Sequence, residues 1–262
     1  MDLSNATKIG LEKHTRAKEE IIQYGTAGFR TKAESLDHVL YRMGLLAVLR
    51  SKSKGGAAIG LMITASHNPE PDNAVTGIRA LGGEVTNFGV VTTPMLHFFV
   101  ACTNTKGAYG EPTEEGYFKK LITAFKNLRG SISEVGKYSP SIIFDGANGV
   151  GAIKMKKAMD YLGNSLKVKL CNDGEGKLNH MCGADYVKMQ QCAPSGIPDE
   201  IGTRCVSVDG DADRIVYYYT DADAKFHLLD GDRIASLKAD TQLSADTLAA
   251  EVADAVRELL AA

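Results

Sequence analysis

Residues 205–214 read CVSVDGDADR, an apolar run that passes directly into a loop of alternating aspartates. Residues 141–149, SIIFDGANG, show the same arrangement earlier in the chain. Short apolar runs bounded by turn residues are typical of strands that are buried on both faces. Helical patterns separate these runs, and strands that alternate with helices predict βαβ units with a parallel sheet. Functional loops of such sheets lie at the carboxyl ends of the strands, where both loops fall.

Hydrophobic periodicity gives the other elements. It predicts helices over 37–50, 114–128, 152–162 and 244–262, a helix that ends near glycines 82 and 83, and strands over 57–63, 84–91, 141–144, 166–171 and 205–208. Thr113 is the predicted N-cap of the helix that starts at Glu114, whereas Thr93 and Pro94 predict a turn. The polar first 22 residues are expected to form a mobile arm or a short helix.

Length and composition limit the class of protein. The 262 residues are enough for two domains, and 44% hydrophobic with 24% charged residues excludes disordered, collagen-like and coiled-coil classes. Because 30 Lys and Arg residues are balanced by 32 Asp and Glu residues, the net charge of -2 provides no overall basic surface for a nucleic-acid backbone. We therefore expect a globular protein without a nucleic-acid partner.

Cysteine content and the lack of long apolar stretches predict the compartment. The five cysteines form no CxxC pair, which favours a reducing compartment over a disulfide framework or a structural zinc site. The N-terminal segment contains no apolar signal-peptide core, and no stretch approaches the roughly 18 apolar residues of a membrane span. The sequence therefore predicts a cytoplasmic protein that has no membrane partner.

The acidic loop carries the strongest chemical signal. Asp209, Asp211 and Asp213 occupy every second position with small residues between them, so their carboxylates can turn toward one hard cation such as Mg²⁺. Arg214 would limit the negative charge or bind a phosphate. The alternative is an ordinary acidic loop or a calcium loop. The EF-hand form of a calcium loop is excluded, since its sixth and twelfth positions carry Arg214 and Thr220 instead of Gly and Glu.

A second candidate is the loop 64–69, TASHNP, which directly follows a predicted strand. Ser66 on such a turn can carry a phosphoryl group, and a phosphoserine offers about two negative charges and three acceptor oxygens to a Mg²⁺ loop. The alternative is a polar turn in which His67 and Asn68 satisfy backbone groups. The loop does not match the G-x-S-x-G motif of hydrolases.

Two further segments have the composition of phosphate or substrate loops. Residues 24–30, YGTAGFR, combine spaced glycines with one arginine, which suits a loop whose backbone approaches a phosphate. Residues 179–188, NHMCGADYVK, offer an imidazole, a carboxylate and an ammonium within one short segment. Each segment taken singly is equally consistent with an ordinary loop.

Taken together and in this order, the four segments closely resemble the α-D-phosphohexomutase family. The motif sequences are more similar to those of family members that act on N-acetylglucosamine phosphates than to those of members that act on glucose or mannose phosphates. These motifs are GTAGFRTKAE, ITASHNP, DGANGVGA, GKLNHMCGADYVK and VDGDADRIVYYY. The resemblance extends over residues 1–73 and 78–237. It implies an α/β fold of two α/β units with mixed, largely parallel sheets.

The resemblance also implies domain bounds. They are a shortened phosphoserine-loop domain over 1–107, a metal-loop domain over 108–232, and the start of a third domain or an Ala-rich helix over 233–262. Family members follow the serine loop with Gly, an apolar residue and Lys, whereas this chain has Ala74, Val75 and Thr76. We therefore expect a shortened first unit and the absence of the family's third and fourth domains.

The activity that the resemblance implies is the interconversion of N-acetylglucosamine 6-phosphate and N-acetylglucosamine 1-phosphate, in UDP-N-acetylglucosamine biosynthesis. The implied cofactors are Mg²⁺, a phosphoserine at Ser66 and a hexose bisphosphate as activator. The implied Mg²⁺ ligands are Ser66, Asp209, Asp211 and Asp213. The implied catalytic residues are Ser66, His67, Arg30 and Lys188, and the implied phosphate- or substrate-binding residues are Thr26, Arg30, Asn68, His180 and Arg214.

Three functions are compatible with the sequence. The first is this mutase activity, weak or absent in the chain by itself because part of the surface that holds the substrate is missing. The second is a non-catalytic binding or regulatory fragment, in which Ser66 neither accepts nor passes on a phosphoryl group. The third is a phosphatase, in which water takes the phosphoryl group at an open site. The expected partner is a small sugar phosphate, and the sequence makes no prediction of the oligomeric state.

Overall fold

The chain folds as two units, Met1–Pro112 and Thr113–Ala262. The computed structural model describes residues 3–16, 22, 24–25, 28–29, 33–63, 72–129, 140–198 and 200–234. No helix within these described ranges is long and apolar enough to cross a membrane. Each unit buries hydrophobic residues of its own.

Helices form most of the described first unit. They are α1 (Leu3–Lys13), α2 (Ala33–Ser53), α3 (Asp72–Ala80) and α4 (Thr93–Asn104), and a short antiparallel pair consists of β1 (Tyr24–Gly25) and β2 (Gly28–Phe29). The helix α1 is the short helix expected near the N-terminus. Ala6, Val48 and Leu81 form a buried cluster that joins α1, α2 and the end of α3. The helices α2 and α3 approach closely, since a Cβ at Gly77 would lie 2.1 Å from the Tyr41 carbonyl oxygen.

The helix α3 ends at its glycines, as the sequence predicts. Gly82 takes a φ of 72°, in the left-handed region, and Gly83 donates its N–H to the Ile78 carbonyl oxygen at 3.0 Å. A Cβ at Gly83 would lie 2.6 Å from an Ile78 side-chain carbon and 2.8 Å from one of Val48. Glycine is therefore required here both for the turn and for the close packing that follows it.

The predicted turn at Thr93 and Pro94 is wrong, because α4 begins there. Thr92 is the N-cap and its hydroxyl oxygen accepts the Met95 N–H at 3.4 Å. Proline suits the first turn of a helix, since the N–H that it lacks has no intrahelical partner there. The residues that this helix buries are Met95, Phe98, Phe99 and Cys102.

The predicted strands over 57–63 and 84–91 are also wrong. Neither segment forms a strand, and most of 57–63 is half-buried rather than buried on both faces. The side-chain amide of Asn104 in α4 takes the place of a neighbouring strand: it accepts the Ala58 N–H at 2.8 Å and donates to the Ala58 carbonyl oxygen at 3.0 Å. An apolar run that packs along a helix has the same composition as a buried strand, so periodicity does not separate the two.

A five-stranded mixed sheet organises the second unit. Its helices are α5 (Glu114–Arg129), α6 (Val150–Leu162) and α7 (Ala184–Gln190), and its strands are β3 (Ser141–Asp145), β4 (Lys167–Cys171), β5 (Arg204–Val208), β6 (Ile215–Thr220) and β7 (Phe226–Leu229). The strand order is β4-β3-β5-β6-β7. The strand β3 is parallel to both β4 and β5, whereas β6 and β7 add antiparallel to the β5 edge. These elements confirm the α/β fold and the strands and helix predicted between 141 and 208.

The two faces of this sheet carry separate hydrophobic clusters because side chains alternate along each strand. Ile143 and Tyr218 lie in the cluster that contains Val187 of α7. Phe144 lies in the other cluster, against which Met155 of α6 packs. The loops that follow β3, β4 and β5 emerge between these two layers, at the carboxyl ends of the three parallel strands.

An ion-pair cluster joins α5 to α6. Thr113 caps α5 as predicted, since its hydroxyl oxygen accepts the Gly116 N–H at 3.0 Å. The two carboxylate oxygens of Glu114 then lie 2.8 Å from Lys154 Nζ and 2.9 Å from Lys157 Nζ. Burial acts to raise the pKa of Glu114, but the two lysines hold that pKa below its usual range. The helix predicted over 244–262 lies outside the described residues.

Candidate functional site

The loop 209–214 connects β5 to β6 and turns around the side chain of Asp209. That residue is 4% exposed, and its Oδ1 accepts the backbone N–H groups of Asp213 and Arg214, both at 3.1 Å. The Asp209 carbonyl oxygen also accepts the Ala212 N–H at 3.0 Å, and Ala212 takes a left-handed φ of 58°. One buried aspartate therefore fixes the shape of the loop.

This loop brings three carboxylates together. One oxygen from each of Asp209, Asp211 and Asp213 lies within 4.8 Å of the others. Asp209 is buried, Asp211 is half-buried and Asp213 is exposed, so the cluster extends from the end of the sheet toward solvent. Over the part of the chain that the structure describes, no other set of three His, Cys, Asp or Glu side chains comes together in this way.

The pKa values of the three carboxyls reflect their crowding. Burial, followed by hydrogen bonding to Asp209 and by the charges of Asp209 and Asp211, raises the pKa of Asp213 to about 6. Burial and then the charge of Asp209 also raise the pKa of Asp211. Burial acts in the same direction on Asp209, but hydrogen bonds from Arg214 and Asp213 hold its pKa below the usual range. A bound cation would favour the ionised form of both carboxyls whose pKa is raised.

Arg214 contributes a positive charge to this loop. Its Nε donates to Asp209 Oδ2 at 2.7 Å, and its Nη1 donates to Asp185 Oδ1 of α7. Asp213 is more distant, with 3.5 Å between its Oδ1 and the same Nε. The Arg214 side chain is 53% exposed. A guanidinium has five N–H donors, so further donors are left for an anion such as a phosphate.

The loop 146–149, which follows β3, packs directly against the acidic loop. Val150 donates its N–H to the Gly210 carbonyl oxygen at 2.9 Å. A Cβ at Gly149 would lie only 2.2 Å from that oxygen, so the two loops meet where no side chain fits. The backbone of the motif DGANG therefore packs against the acidic loop and supports it.

Asn148 joins this loop to the segment 172–183, which follows β4. Its Oδ1 accepts the N–H groups of Gly174 at 3.2 Å and of Gly176 at 3.1 Å. Its Nδ2 lies 3.7 Å from Cys182 Sγ. Burial, followed by a nearby negative charge, raises the pKa of the Cys182 thiol to about 11, so this thiol is un-ionised at neutral pH. The side chain of Cys182 therefore acts as a packing group and not as a nucleophile.

Two predicted site residues lie on the segment and helix beside this loop. His180 is exposed, shortly before α7 begins. Lys188 lies on α7 with its side chain 55% exposed and its Nζ 3.3 Å from Asp230 Oδ2. Asp185 precedes Lys188 by one helical turn and pairs with Arg214. The helix α7 thus connects the predicted proton-transfer lysine to the arginine of the acidic loop.

The structure describes six of the eleven predicted site residues. It brings together Asp209, Asp211, Asp213 and Arg214, and it places His180 and Lys188 nearby in the chain. Five lie outside the described residues, namely Thr26, Arg30, Ser66, His67 and Asn68. Asp145 and Asn148 organise the site without a predicted role, because their partners lie as far as 62 and 34 positions along the chain and leave no local signal.

The donor set of the acidic loop fits a small divalent cation. Mg²⁺ prefers oxygen ligands, usually one or two carboxylates together with water or phosphate oxygens. The cluster contains only carboxylates, with no thiol or imidazole among its three members. Burial and the nearby carboxyls of Asp209 and Asp211 raise the pKa of Asp213, and a cation bound beside it would favour its ionised form. A magnesium ion would supply that positive charge.

Residues 109–216 match the family model described as Phosphoacetylglucosamine mutase AMG1, domain II. This range includes the loop 209–214 and four strands of the second-unit sheet in whole or part. The phosphoacetylglucosamine mutase of Sus scrofa is 42% identical to this chain, over 90% of the chain and 56% of its own length. The chain therefore spans somewhat more than half the length of the curated relatives it matches.

Solved structures show the same likeness. An N-acetylglucosamine-phosphate mutase of the α-D-phosphohexomutase superfamily, in its apo form, has a TM-score of 0.79 at 30% identity over 91% of this chain and 67% of that one. N-acetylphosphoglucosamine mutase of Aspergillus fumigatus in complex with GlcNAc-6P and magnesium has a TM-score of 0.68 at 36% identity, over 78% and 52%. A variant of that protein in complex with glucose 1,6-bisphosphate has a TM-score of 0.76 at 34% identity, over 90% and 57%.

Proposed function

Because the chain belongs to the phosphoacetylglucosamine mutase family of α-D-phosphohexomutases, we propose that its reaction is the interconversion of N-acetylglucosamine 6-phosphate and N-acetylglucosamine 1-phosphate. The observation that carries this proposal is the convergence of Asp209, Asp211 and Asp213 beside Arg214 at the carboxyl end of β5. Enzymatic phosphoryl transfer depends mainly on positioning and on charge stabilisation. A compact acidic cluster with one fixed guanidinium provides both.

The proposed phosphoryl donor is Ser66 in its phosphorylated form. A hydroxyl oxygen of the sugar phosphate attacks the phosphorus, the bond from phosphorus to Ser66 Oγ breaks, and the proton lost by the sugar hydroxyl ends on Ser66. The product is a bisphosphorylated sugar, which turns around and returns its other phosphoryl group to Ser66 by the reverse step. A hexose bisphosphate would phosphorylate Ser66 in an idle chain and so act as the activator. The glucose 1,6-bisphosphate complex of the Aspergillus relative supports this role.

Asp209, Asp211 and Asp213 would hold Mg²⁺ together with the phosphoryl group on Ser66. When bound, Mg²⁺ neutralises the charge that builds on the transferring oxygens. The convergence of the three carboxylates supports this assignment, and burial together with the neighbouring carboxyls raises the pKa values of Asp211 and Asp213. The magnesium in the complex of the Aspergillus relative supports the choice of ion.

Arg214 is the proposed ligand for an oxygen of the transferring phosphoryl group. Asp209 and Asp185 fix two positions of its guanidinium, one through Nε and one through Nη1. This arrangement holds the plane of the guanidinium still while its other N–H groups remain as donors. A fixed donor loses little entropy when it binds phosphate, and this favours tight and oriented binding.

Lys188 and His67 are the proposed proton-transfer or polarising groups. The ion pair between Lys188 and Asp230 holds the ammonium in one position on the exposed side of α7. An ammonium that is held in place can donate to a sugar or phosphate oxygen. Further contacts to substrate are proposed for the residues that match the family motifs, namely Thr26, Arg30, Asn68 and His180.

For the 262-residue chain assayed by itself, we propose weak or absent turnover. The chain spans 56% of the length of the Sus scrofa relative. Because holding a substrate in place can lower a reaction barrier by about 7–11 kcal/mol, the loss of even part of the surrounding surface would slow the reaction greatly. We also propose a cytoplasmic setting, which is supported by the five cysteines, since none of them forms a disulfide bond.

The experiment that tests the proposal is a phosphorus NMR time course on the purified chain. The sample contains Mg²⁺, N-acetylglucosamine 6-phosphate and a catalytic amount of glucose 1,6-bisphosphate. Ser66→Ala is measured beside it as the matched variant, and the phosphorylation of Ser66 is followed by intact mass. We expect Ser66 to accept a phosphoryl group and the 1-phosphate to form slowly or not at all.

Three outcomes decide between the functions. Formation of the 1-phosphate by the wild type but not by Ser66→Ala would establish the mutase and correct our expectation of weak turnover. Release of inorganic phosphate instead would establish a phosphatase. A folded sample in which Ser66 is never phosphorylated would overturn the proposed donor and leave a binding role for the chain.

A further inference from the structure

Asp145 is a fully buried carboxylate at the carboxyl end of β3. Each of its oxygens accepts two hydrogen bonds. Oδ1 accepts the Ala147 N–H at 3.0 Å and Asn172 Nδ2 at 2.8 Å. Oδ2 accepts the Gly183 N–H and the Ser207 hydroxyl, both at 2.7 Å. All four donors are neutral, and the structure describes no Lys, Arg or His side chain paired with this carboxylate.

Burying such a carboxylate lowers the free energy of unfolding unless other contacts compensate for it. A buried carboxylate without a cation loses its hydration, and hydrogen bonds from neutral groups offset that loss only when all of them are made. Residues at which stability is given up in this way are found mainly at functional sites. Asp145 therefore calls for an explanation beyond packing, and its partners provide one.

Two of these partners lead to the acidic loop by separate routes. Ser207 is the cross-strand neighbour of Asp145 in β5 and precedes Asp209 by two residues. Gly183 is the N-cap of α7, and Asp185 near the start of that helix pairs with Arg214. Gly183 takes a φ of 89° and a Cβ there would lie 2.9 Å from Ala147 Cβ, so the helix start is pressed against the β3 loop.

We propose that Asp145 is the positioning residue of the acidic loop, holding Asp209 through Ser207 and Arg214 through Gly183 and Asp185. Through these two routes one carboxylate sets the distance between the aspartates that would bind Mg²⁺ and the arginine that would bind phosphate. In this respect the inference rests on the proposed function. The same contacts predict a coupled motion of 183–187 and 209–214 that does not depend on any metal.

Asp145→Asn breaks this arrangement at a defined point. The amide has one acceptor oxygen and one N–H₂ group in place of two acceptor oxygens. The two donors on one side of residue 145 would therefore meet an N–H₂ group, which cannot accept from them. On the Oδ2 side the Ser207 hydroxyl can reverse and accept, because Tyr218 Oη lies 3.1 Å away as its second partner. Gly183 has no such freedom, since its N–H only donates. On the Oδ1 side Asn172 Nδ2 also donates to the Ser195 carbonyl oxygen at 3.2 Å and would lose both bonds by turning, so the new N–H group faces the Oδ2 side. The variant therefore gives up the contact to the start of α7 and, through Asp185 and Arg214, loosens the acidic loop as well.

The test combines hydrogen exchange on the metal-free chain with a titration of Mg²⁺ followed by calorimetry. In Asp145→Asn we expect faster amide exchange in both 183–187 and 209–214, and a Mg²⁺ affinity about 10–100-fold weaker than in the wild type, as for other groups that orient metal ligands. Ser207→Ala, a milder change, removes only the route through β5. It should speed exchange in 209–214 and leave 183–187 as in the wild type.

Glu114→Gln is the matched control, because it alters a half-buried carboxylate of the same unit on α5, away from these contacts. It should leave exchange in both segments and the Mg²⁺ affinity unchanged. The positioning role is overturned if folded Asp145→Asn exchanges like the wild type in 209–214, or if exchange rises over the whole unit in both Asp145→Asn and Ser207→Ala. Failure of the wild type to bind Mg²⁺ would overturn the proposed metal site, while the exchange data would still decide the role of Asp145.

Discussion

Two charged clusters of the second unit have opposite balances of charge. At the contact between α5 and α6, the single carboxylate of Glu114 lies within 3 Å of two lysine ammonium groups. At the loop 209–214, three carboxylates lie beside one guanidinium, that of Arg214, which pairs with Asp209 and also with Asp185 of α7. The pKa of Glu114 is lowered, whereas the pKa of Asp213 is raised to about 6. In the first cluster two ammonium groups offset one carboxylate, whereas in the second the carboxylates outnumber the guanidinium, as expected for the cation site that we propose.

The strongest way to test this difference is to add the missing charge. At a Mg²⁺ concentration of about 100 times its dissociation constant, we expect the free energy of unfolding to rise by about 2.7 kcal/mol. Asp211→Asn should abolish most of that rise, because it replaces one of the three carboxylates by a neutral amide whose single oxygen is a weaker ligand. Without metal the variant should be as stable as the wild type or more so, since it removes a carboxyl whose pKa burial and Asp209 raise. Urea unfolding with and without Mg²⁺ measures both effects.

An exposed aspartate outside the cluster provides the control for this measurement. Asp223 lies in the turn between β6 and β7 and is exposed. Asp223→Asn should keep the full response to Mg²⁺. An equal response in wild type, Asp211→Asn and Asp223→Asn would mean that the ion acts on the chain in general and that the acidic loop is not its site.

The second way is to remove the carboxylate of the balanced cluster. Glu114→Ala leaves Lys154 without its partner, and the Lys154 side chain is only 10% exposed. We expect a loss of about 2 kcal/mol in the free energy of unfolding, as is typical when a largely buried charged group loses its hydrogen-bond partner. Urea unfolding of Glu114→Ala and of Glu115→Ala, the exposed neighbour, makes the comparison. Equal stabilities of the two variants would show that the ion pair contributes nothing.

The sequence predicts the part of the fold in which local patterns and tertiary contacts agree. The strands β3 and β5 are short apolar runs and β4 alternates between apolar and charged residues, and Asp or Asn stands at or directly after the end of each. Both composition and turn residues therefore indicate these strands. The prediction fails over 57–63, where an apolar run packs on a helix and Asn104 satisfies its backbone. It fails again at Thr93 and Pro94, because the same residues that form turns also begin helices.

The candidate site likewise has one part that the sequence predicts and another that it does not. Alternating aspartates in one loop can be predicted to converge, because their separation along the chain limits their separation in space. The role of Asp145 cannot be predicted in this way, since it depends on Gly183 and Ser207, which lie 38 and 62 positions away. Within the motif DGANG this aspartate has the pattern of an ordinary turn residue. Only the register of β3 against β5 places it beside the loop that it holds.

Acid provides a third and gentler test of the balanced cluster. The folded-state pKa of Glu114 lies below its usual value, so the unfolded chain takes up the proton first. The stability that this ion pair contributes is therefore present above the unfolded pKa of about 4.3 and is lost as the pH falls through the lower folded value. In Glu114→Gln this part of the acid destabilisation should be missing. Urea midpoints of both proteins between about pH 6 and pH 3 measure it, and parallel curves would contradict the assignment.

The smallest expected effect separates the two lysines that share Glu114. Lys157 is 55% exposed, whereas Lys154 is 10% exposed, although their distances to the carboxylate are nearly equal. Water replaces the ammonium of an exposed lysine at little cost, so Lys157→Ala should leave the urea midpoint unchanged within error. Lys154→Ala should lower it, because Glu114 would lose the partner that is buried with it. If the two variants lose equal stability, distance rather than burial sets the strength of these ion pairs. The Glu114 cluster and the loop 209–214 would then differ only in their balance of charge.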